Sequence, residues 1–121
     1  SVMGERPMGD DAYSYAASKA AVHHLTQILA KELAGDRITV NALAPGPFVS
    51  KMTAFATGDE EMRARVGAQV PLGRVGRPED IAAALQYLCG AGGAYVTGAI
   101  LPVSGGINVQ TGPDIFMEGK P

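Results

Sequence analysis

Only two segments of this 121-residue chain carry the pattern of a β-strand, and a helix-forming stretch lies between them. Residues 37–43 alternate Ile38, Val40 and Ala42 with polar positions, and residues 98–103 form a second short apolar run. A helix precedes the first strand and another precedes the second. The order helix, strand, helix, strand predicts an α/β fold, with a parallel sheet joined by helical crossovers. Parallel sheets are buried on both faces and are built from more than two strands. The expectation is therefore that this sequence is a piece of a longer chain. Its first residue, Ser1, rather than Met, agrees with that, although a processed or cloned protein would also begin so.

Local signals set the expected boundaries. Gly4, Pro7, Gly9, Asp10 and Asp11 make residues 1–12 a loop. Residues 13–34 are rich in Ala, Leu and Lys and read as a helix, stopped by Gly35 and Asp36 with the glycine as C′ residue. Pro45-Gly46-Pro47 is expected to break the first strand. Residues 59–68 read as a short helix, with Asp59, Glu60 and Glu61 suited to its positive N-terminus. Pro78 suits the first position of the next helix, which Gly90 to Gly93 should end. Pro102 places the last strand at a sheet edge, and Gly105-Gly106 ends it. Residues 107–121 are a tail without periodicity.

Composition narrows the function. Apolar residues make up 46% and charged residues 18%, which excludes a disordered chain. A net charge of −2 argues against nucleic acid as a partner. One cysteine excludes an internal disulfide, and with two histidines it gives no zinc spacing, so no metal is expected. No membrane segment is expected, because no apolar run reaches 18 residues.

The first helix carries the candidate chemistry. Tyr15 and Lys19 stand at i and i+4 and share one face. At helical spacing that stripe continues through Val22, Thr26, Leu29 and Leu33, and its apolar end is expected to face the sheet. A phenol alone exchanges its proton reluctantly at neutral pH, and a neighbouring cation favours the phenolate. The pair can therefore act as a general acid–base device, or it can be a surface Tyr and Lys on an ordinary helix. Tyr13 is no rival, because position 17 is Ala17.

Tyr15-Ala-Ala-Ser18-Lys19-Ala-Ala-Val22 strongly resembles the active-site helix of the short-chain dehydrogenases/reductases. Asn41-Ala-Leu-Ala-Pro45-Gly46-Pro-Phe-Val-Ser50-Lys-Met52 is similar to that family's strand end and nicotinamide-side loop. Gly73-Arg74-Val-Gly76-Arg-Pro78-Glu79-Asp80-Ile81-Ala82 resembles its Arg-x-Gly-x-Pro-Glu-Asp helix start. Tyr95-Val-Thr97-Gly98 through Gly105-Gly106 resembles its last strand and Gly-Gly turn. The resemblance covers residues 1–106 and implies the C-terminal part of a doubly wound, parallel-sheet, Rossmann-type fold. Residues 1–121 would then be one portion of a single domain, with an active-site helix at 13–34, a lid at 48–72 and a C-terminal tail at 107–121.

The resemblance also implies roles. Tyr15 would give a proton to a substrate carbonyl oxygen, or take one from an alcohol. Lys19 would favour the tyrosinate and hydrogen-bond the nicotinamide ribose. Ser1, 14 residues before Tyr15, matches the family's catalytic serine, which holds the substrate oxygen. Terminal disorder is the other reading of Ser1. Pro45 and Gly46 would shape the loop beside the nicotinamide, Phe48 would offer a backbone contact to its carboxamide, and Ser50 would offer a hydroxyl. Ser50 can equally be an ordinary loop residue. Asn41 is expected to bond neighbouring backbone. Met52, Phe55, Met62 and Val66 either contact substrate or pack the lid's own helix. His23 and His24 point to different faces and are expected at a subunit interface rather than on a metal. Cys89 is expected to be a small buried side chain. Ser104, where relatives commonly carry aspartate, reads as a loss of turn polarity.

The family's glycine-rich pyrophosphate turn is absent from this sequence, as is the residue that selects NAD or NADP. The resemblance still implies an NAD(P)-dependent oxidoreductase acting on a small-molecule ketone or secondary alcohol, with NADP preferred. The 3-oxoacyl-thioester reductases, rhamnolipid type included, are the nearest branch. A cytoplasmic homo-oligomer, dimer or tetramer, is expected. The alternative is a non-catalytic family member, or a gene fragment, acting only in binding or assembly.

Overall fold

A computed structural model describes residues 13–48 and 59–110 of the chain. The expected loop at 1–12 and the expectations for Ser1, Ser50, Met52, Phe55 and residues 111–121 lie outside these. The described elements are α1 (Tyr13–Leu33), β1 (Ala42–Pro45), α2 (Glu60–Ala68), α3 (Pro78–Cys89) and β2 (Ile100–Val103), with single 3-10 turns at Ala34–Asp36, Ala91–Gly93 and Ile107–Val109. β1 and β2 are parallel, paired from Ala42↔Ile100 to Pro45↔Val103. The connection between them carries α2 and α3, and α3 packs on β2. This is the crossover that parallel pairing requires.

Helix starts are where local chemistry puts them. Asp59 caps α2, its Oδ1 accepting from Met62 N at 2.8 Å. Pro78 opens α3, where its missing N–H has no intrahelical partner to lose. The end of α1 differs from expectation. The chain passes through a 3-10 turn, and Arg37, not Gly35, takes the left-handed conformation at φ 60°. Arg37 N donates to Ala34 O and Ile38 N to Leu33 O, so the last carbonyls are satisfied two residues later than the glycine suggests.

The first strand is displaced along the sequence. The alternating segment 37–43 enters the ladder only at Ala42, whose N–H donates to Ala99 O at 2.9 Å. Before that, Gly98 N donates to Val40 O at 2.8 Å, and side chains make the remaining bonds. Val40 N donates to Thr97 Oγ1, Asn41 Nδ2 donates to Val96 O at 3.0 Å, and Asn41 Oδ1 accepts from Ala99 N at 2.9 Å. Asn41 is thus the backbone clamp expected of it. Pro45 stays in the strand instead of breaking it. Ala42 and Gly46 donate to β2 at even spacing, so the Pro45 nitrogen faces the other edge and no ladder bond is lost. The same alternation turns the Pro102 nitrogen away from β1, as an edge position allows.

The buried face of α1 also differs from the expected stripe. It runs through His23, Thr26 and Ala30, whereas Val22 is 51% exposed. Thr26 can be buried because its hydroxyl donates to Val22 O at 2.8 Å. Ala30 meets the start of β2 where Gly98, at φ 75°, has no side chain. Cys89 is exposed rather than buried, as α3 carries no buried residue along its length. The buried apolar residues are Ala30, Ala44, Val70 and Val75, while Val22, Leu25 and Ile28 of α1 face outward. Among the described residues that core is small for a parallel sheet.

Candidate functional site

Tyr15 and Lys19 occupy the first turns of α1 and are both half-buried. Lys19 Nζ stands 5.2 Å from the centroid of the Tyr15 ring, within reach of its π face. Spacing on the helix sets this arrangement, since i and i+4 side chains lie one above the other. Ser18, between them, turns its hydroxyl back to Tyr15 O at 2.8 Å and is exposed. Among the described residues Lys19 forms no salt bridge, so its ammonium is available to an incoming hydroxyl.

A second group gathers at the carboxyl end of β1. Gly46 N donates to Val103 O at 3.0 Å, extending the pairing past Pro45. Phe48 forms an isolated parallel bridge with Gly76, and Gly76 N donates to Pro47 O at 2.8 Å. A side chain on Gly76 would run into the Phe48 ring, so glycine is required for this approach. A cleft of about 400 Å³ opens beside Phe48, with Leu72, Ser104, Gly106 and Asn108 in its wall. Tyr15 and Lys19 do not line it. The structure therefore brings Tyr15 to Lys19, and Pro45 and Gly46 to Phe48, as two neighbourhoods. Ligands of open α/β sheets lie beyond the carboxyl ends of the strands, which is where the second neighbourhood sits.

Ser104 corrects its expectation. It is buried, and its hydroxyl donates to Asn108 Oδ1 at 2.9 Å, so the turn after β2 keeps a polar anchor. His23 is buried and His24 exposed, on different faces as the spacing requires. Among the described residues no cluster of His, Cys, Asp and Glu could hold a metal ion. None of the described helices is long and apolar enough to cross a membrane.

One ionic group escaped the sequence reading. Arg74 grips Asp80 with both arms of its guanidinium, at 2.7 and 3.1 Å, and Asp80 Oδ2 also accepts from Arg77 N at 2.7 Å. An Arg six residues before an Asp in the first turn of a Pro-started helix is the signal that could have found it. Bonding to Arg74, then to the Arg77 amide, holds the Asp80 carboxyl down to about 2, and the pair holds the Arg74 guanidinium up. An acid with a depressed folded value contributes stability in full above its unfolded value and loses it as pH falls through the folded one. The stability difference between the parent and Asp80→Asn is therefore expected to stay constant above about pH 5 and to be lost as the pH falls through about 2. Denaturant midpoints measured across that range check this.

The comparisons with known proteins bear on the whole stretch. Residues 1–108 match the family model described as enoyl-(acyl carrier protein) reductase. The rhamnolipids biosynthesis 3-oxoacyl-[acyl-carrier-protein] reductase of Pseudomonas aeruginosa is 47% identical over 109 residues, covering 90% of this chain and 43% of that protein. The solved Pseudomonas aeruginosa RhlG/NADP active-site complex superposes with a TM-score of 0.81 at 47% identity, over 89% of this chain and 44% of that one. This chain belongs to the short-chain dehydrogenase/reductase family.

Family membership settles the fold class as α/β, with β1 and β2 part of a Rossmann-type sheet. The galactitol 2-dehydrogenase of Cereibacter sphaeroides, another family member, is 48% identical over 98 residues, covering 81% of this chain and 39% of that enzyme. The chain thus spans less than half the length of the relatives it matches. The donor set on α1 fits the cofactor that this family membership implies. A phenol and an ammonium on one face are the groups a ribose diol can hydrogen-bond.

Proposed function

We propose that the protein is an NAD(P)-dependent oxidoreductase that interconverts a ketone and a secondary alcohol, that it prefers NADP, and that its substrate is a 3-oxoacyl thioester. The observation that carries this reading is the placement of Lys19 over Tyr15 on the exposed-to-buried margin of α1. The names of the rhamnolipid-pathway relative and of the NADP complex support the substrate class and the cofactor.

In this mechanism Tyr15 donates its phenolic proton to the substrate oxygen as the carbonyl is reduced, and it regains a proton from solvent. Lys19 stabilises the phenolate left behind, because a cation near an anion lowers its energy. Lys19 and Tyr15 would hydrogen-bond the nicotinamide ribose. Pro45 and Gly46 shape the loop at the end of β1, and the Phe48 backbone and the Ser50 hydroxyl would hold the cofactor's nicotinamide end. Ser1 would hold the substrate oxygen. The chemistry that a nicotinamide cofactor would supply when bound is hydride transfer. A cytoplasmic location and assembly as a dimer or tetramer complete the proposal. Val22 and Leu25, exposed on α1, support assembly.

The test is a substrate comparison with the whole protein. NADPH is expected to be consumed with a 3-oxoacyl thioester, at a kcat/KM at least about 100-fold above that for a keto sugar. Consumption with the keto sugar alone would move the substrate to the polyol branch. Consumption with neither would overturn the reading.

A further inference from the structure

The Arg74–Asp80 pair, unused in the mechanism above, lines the cleft beside Phe48, and its bonds surround one residue of the candidate site. Arg74 Nη1 donates to Val75 O at 3.1 Å, Asp80 accepts from Arg77 N, and Arg74 joins Asp80 in a two-armed bridge. These bonds fix the backbone on both sides of Gly76. Gly76 in turn donates to Pro47 O and pairs with Phe48. Val75 is buried, so the segment is also pinned from below. Gly76 cannot move away from Phe48 without breaking charge-assisted bonds, and Phe48 cannot shift toward Gly76 because its ring already fills the space a side chain would need.

Resting on the redox reading, we propose that Arg74 and Asp80 are positioning residues that hold the Pro47-Phe48 end of β1 where it meets the nicotinamide half of the cofactor. A purely stabilising role does not account for the pair as well. Its side chains keep 42% and 30% of their surface exposed, so solvent screens the pair and limits, without abolishing, what it adds to stability. Its geometry is specific instead. Two parallel bonds suit a guanidinium, and lysine cannot reproduce them with its single ammonium. The expected consequence is selective, touching the nicotinamide end of the ligand and leaving the remainder alone.

The experiment measures two affinities in the whole protein: NADPH, and 2′-phospho-ADP-ribose, which lacks the nicotinamide. Arg74→Lys and Asp80→Asn are each expected to raise the Kd of NADPH about tenfold, since small misplacements of a positioning group carry large effects. Binding of 2′-phospho-ADP-ribose is expected to stay within about twofold of the parent, and the double variant to be no worse than either single one. Glu79→Gln, one residue away in the same helical turn, is the control and should match the parent for both ligands. Equal weakening toward both ligands means loss of structure and overturns the proposal, as does an unchanged Kd for NADPH. If the parent binds NADPH while the variants match it, this inference fails alone. If the parent binds no nicotinamide cofactor, the redox reading fails with it.

Discussion

Tyr15→Phe lowers turnover by the whole protein about 10²–10⁴-fold, the range a single positioned acid–base group supplies, and raises the Kd for NADPH by no more than about tenfold, the one ribose hydrogen bond it would lose. The substitution removes one oxygen and keeps the ring. Packing beneath Lys19 is therefore retained, and the cation stays over an aromatic face. The transferable proton goes, and with it one hydrogen bond toward the ribose. A loss in kcat far larger than any change in KM or cofactor affinity marks an interaction made in the transition state. Tyr13→Phe provides the internal control. Tyr13 lies on the same helix two residues earlier and is 83% exposed, on a face that carries no lysine at its i+4 position. It should turn over substrate like the parent. Steady-state rates with NADPH and the 3-oxoacyl thioester, together with NADPH titration of both variants, check the pair of expectations. Undiminished turnover in Tyr15→Phe would remove the acid–base role and favour a member of the family used for binding or assembly.

How much of this was legible beforehand depended on whether the deciding physics was local. Asp59 and Pro78 announce helix starts because capping and the missing proline N–H act within one turn. Tyr15 and Lys19 were legible for the same reason, since helical spacing alone brings them together. Where tertiary partners decide, the pattern misled. Ile38 and Val40 alternate like a ladder, but Ile38 N turns back to Leu33 O, Val40 N goes to the Thr97 hydroxyl, and the Asn41 side chain bonds the backbone of Val96 and Ala99. Helical spacing carried on from Tyr15 and Lys19 leads through Val22. The helix instead rotates to bring Ala30 against Gly98, which buries His23 and leaves Val22 outside. Arg74 and Asp80 could be read as charges in a motif. That their bonds bracket Gly76, and through it reach Phe48, is visible only once β1 and the turn before α3 are side by side.

A large structural effect is expected from a single methyl group at Gly46. A Cβ there would lie 2.8 Å from both Cα and Cβ of Ser104 and 3.0 Å from its carbonyl oxygen. Two of these three atoms are backbone, so no side-chain rotation relieves the clash. Ser104 cannot easily retreat. It is buried, its hydroxyl is tied to Asn108, and its carbonyl accepts from Ile107 N. The end of β1 must therefore move off β2, which breaks the bond from Gly46 N to Val103 O. Overpacking and the lost buried bond together predict that Gly46→Ala destabilises the protein by about 2–4 kcal/mol. The comparison that isolates the cause is Gly35→Ala. Nothing lies within 4 Å of its added Cβ, and its backbone is not left-handed. That substitution should be neutral or stabilise by up to about 1 kcal/mol through the unfolded chain. Urea midpoints with unchanged m-values test both. Gly46→Ala should also weaken NADPH binding, because Pro47 and Phe48 move with the strand end. A variant as stable as the parent would mean that β1 and the turn after β2 do not approach each other this closely.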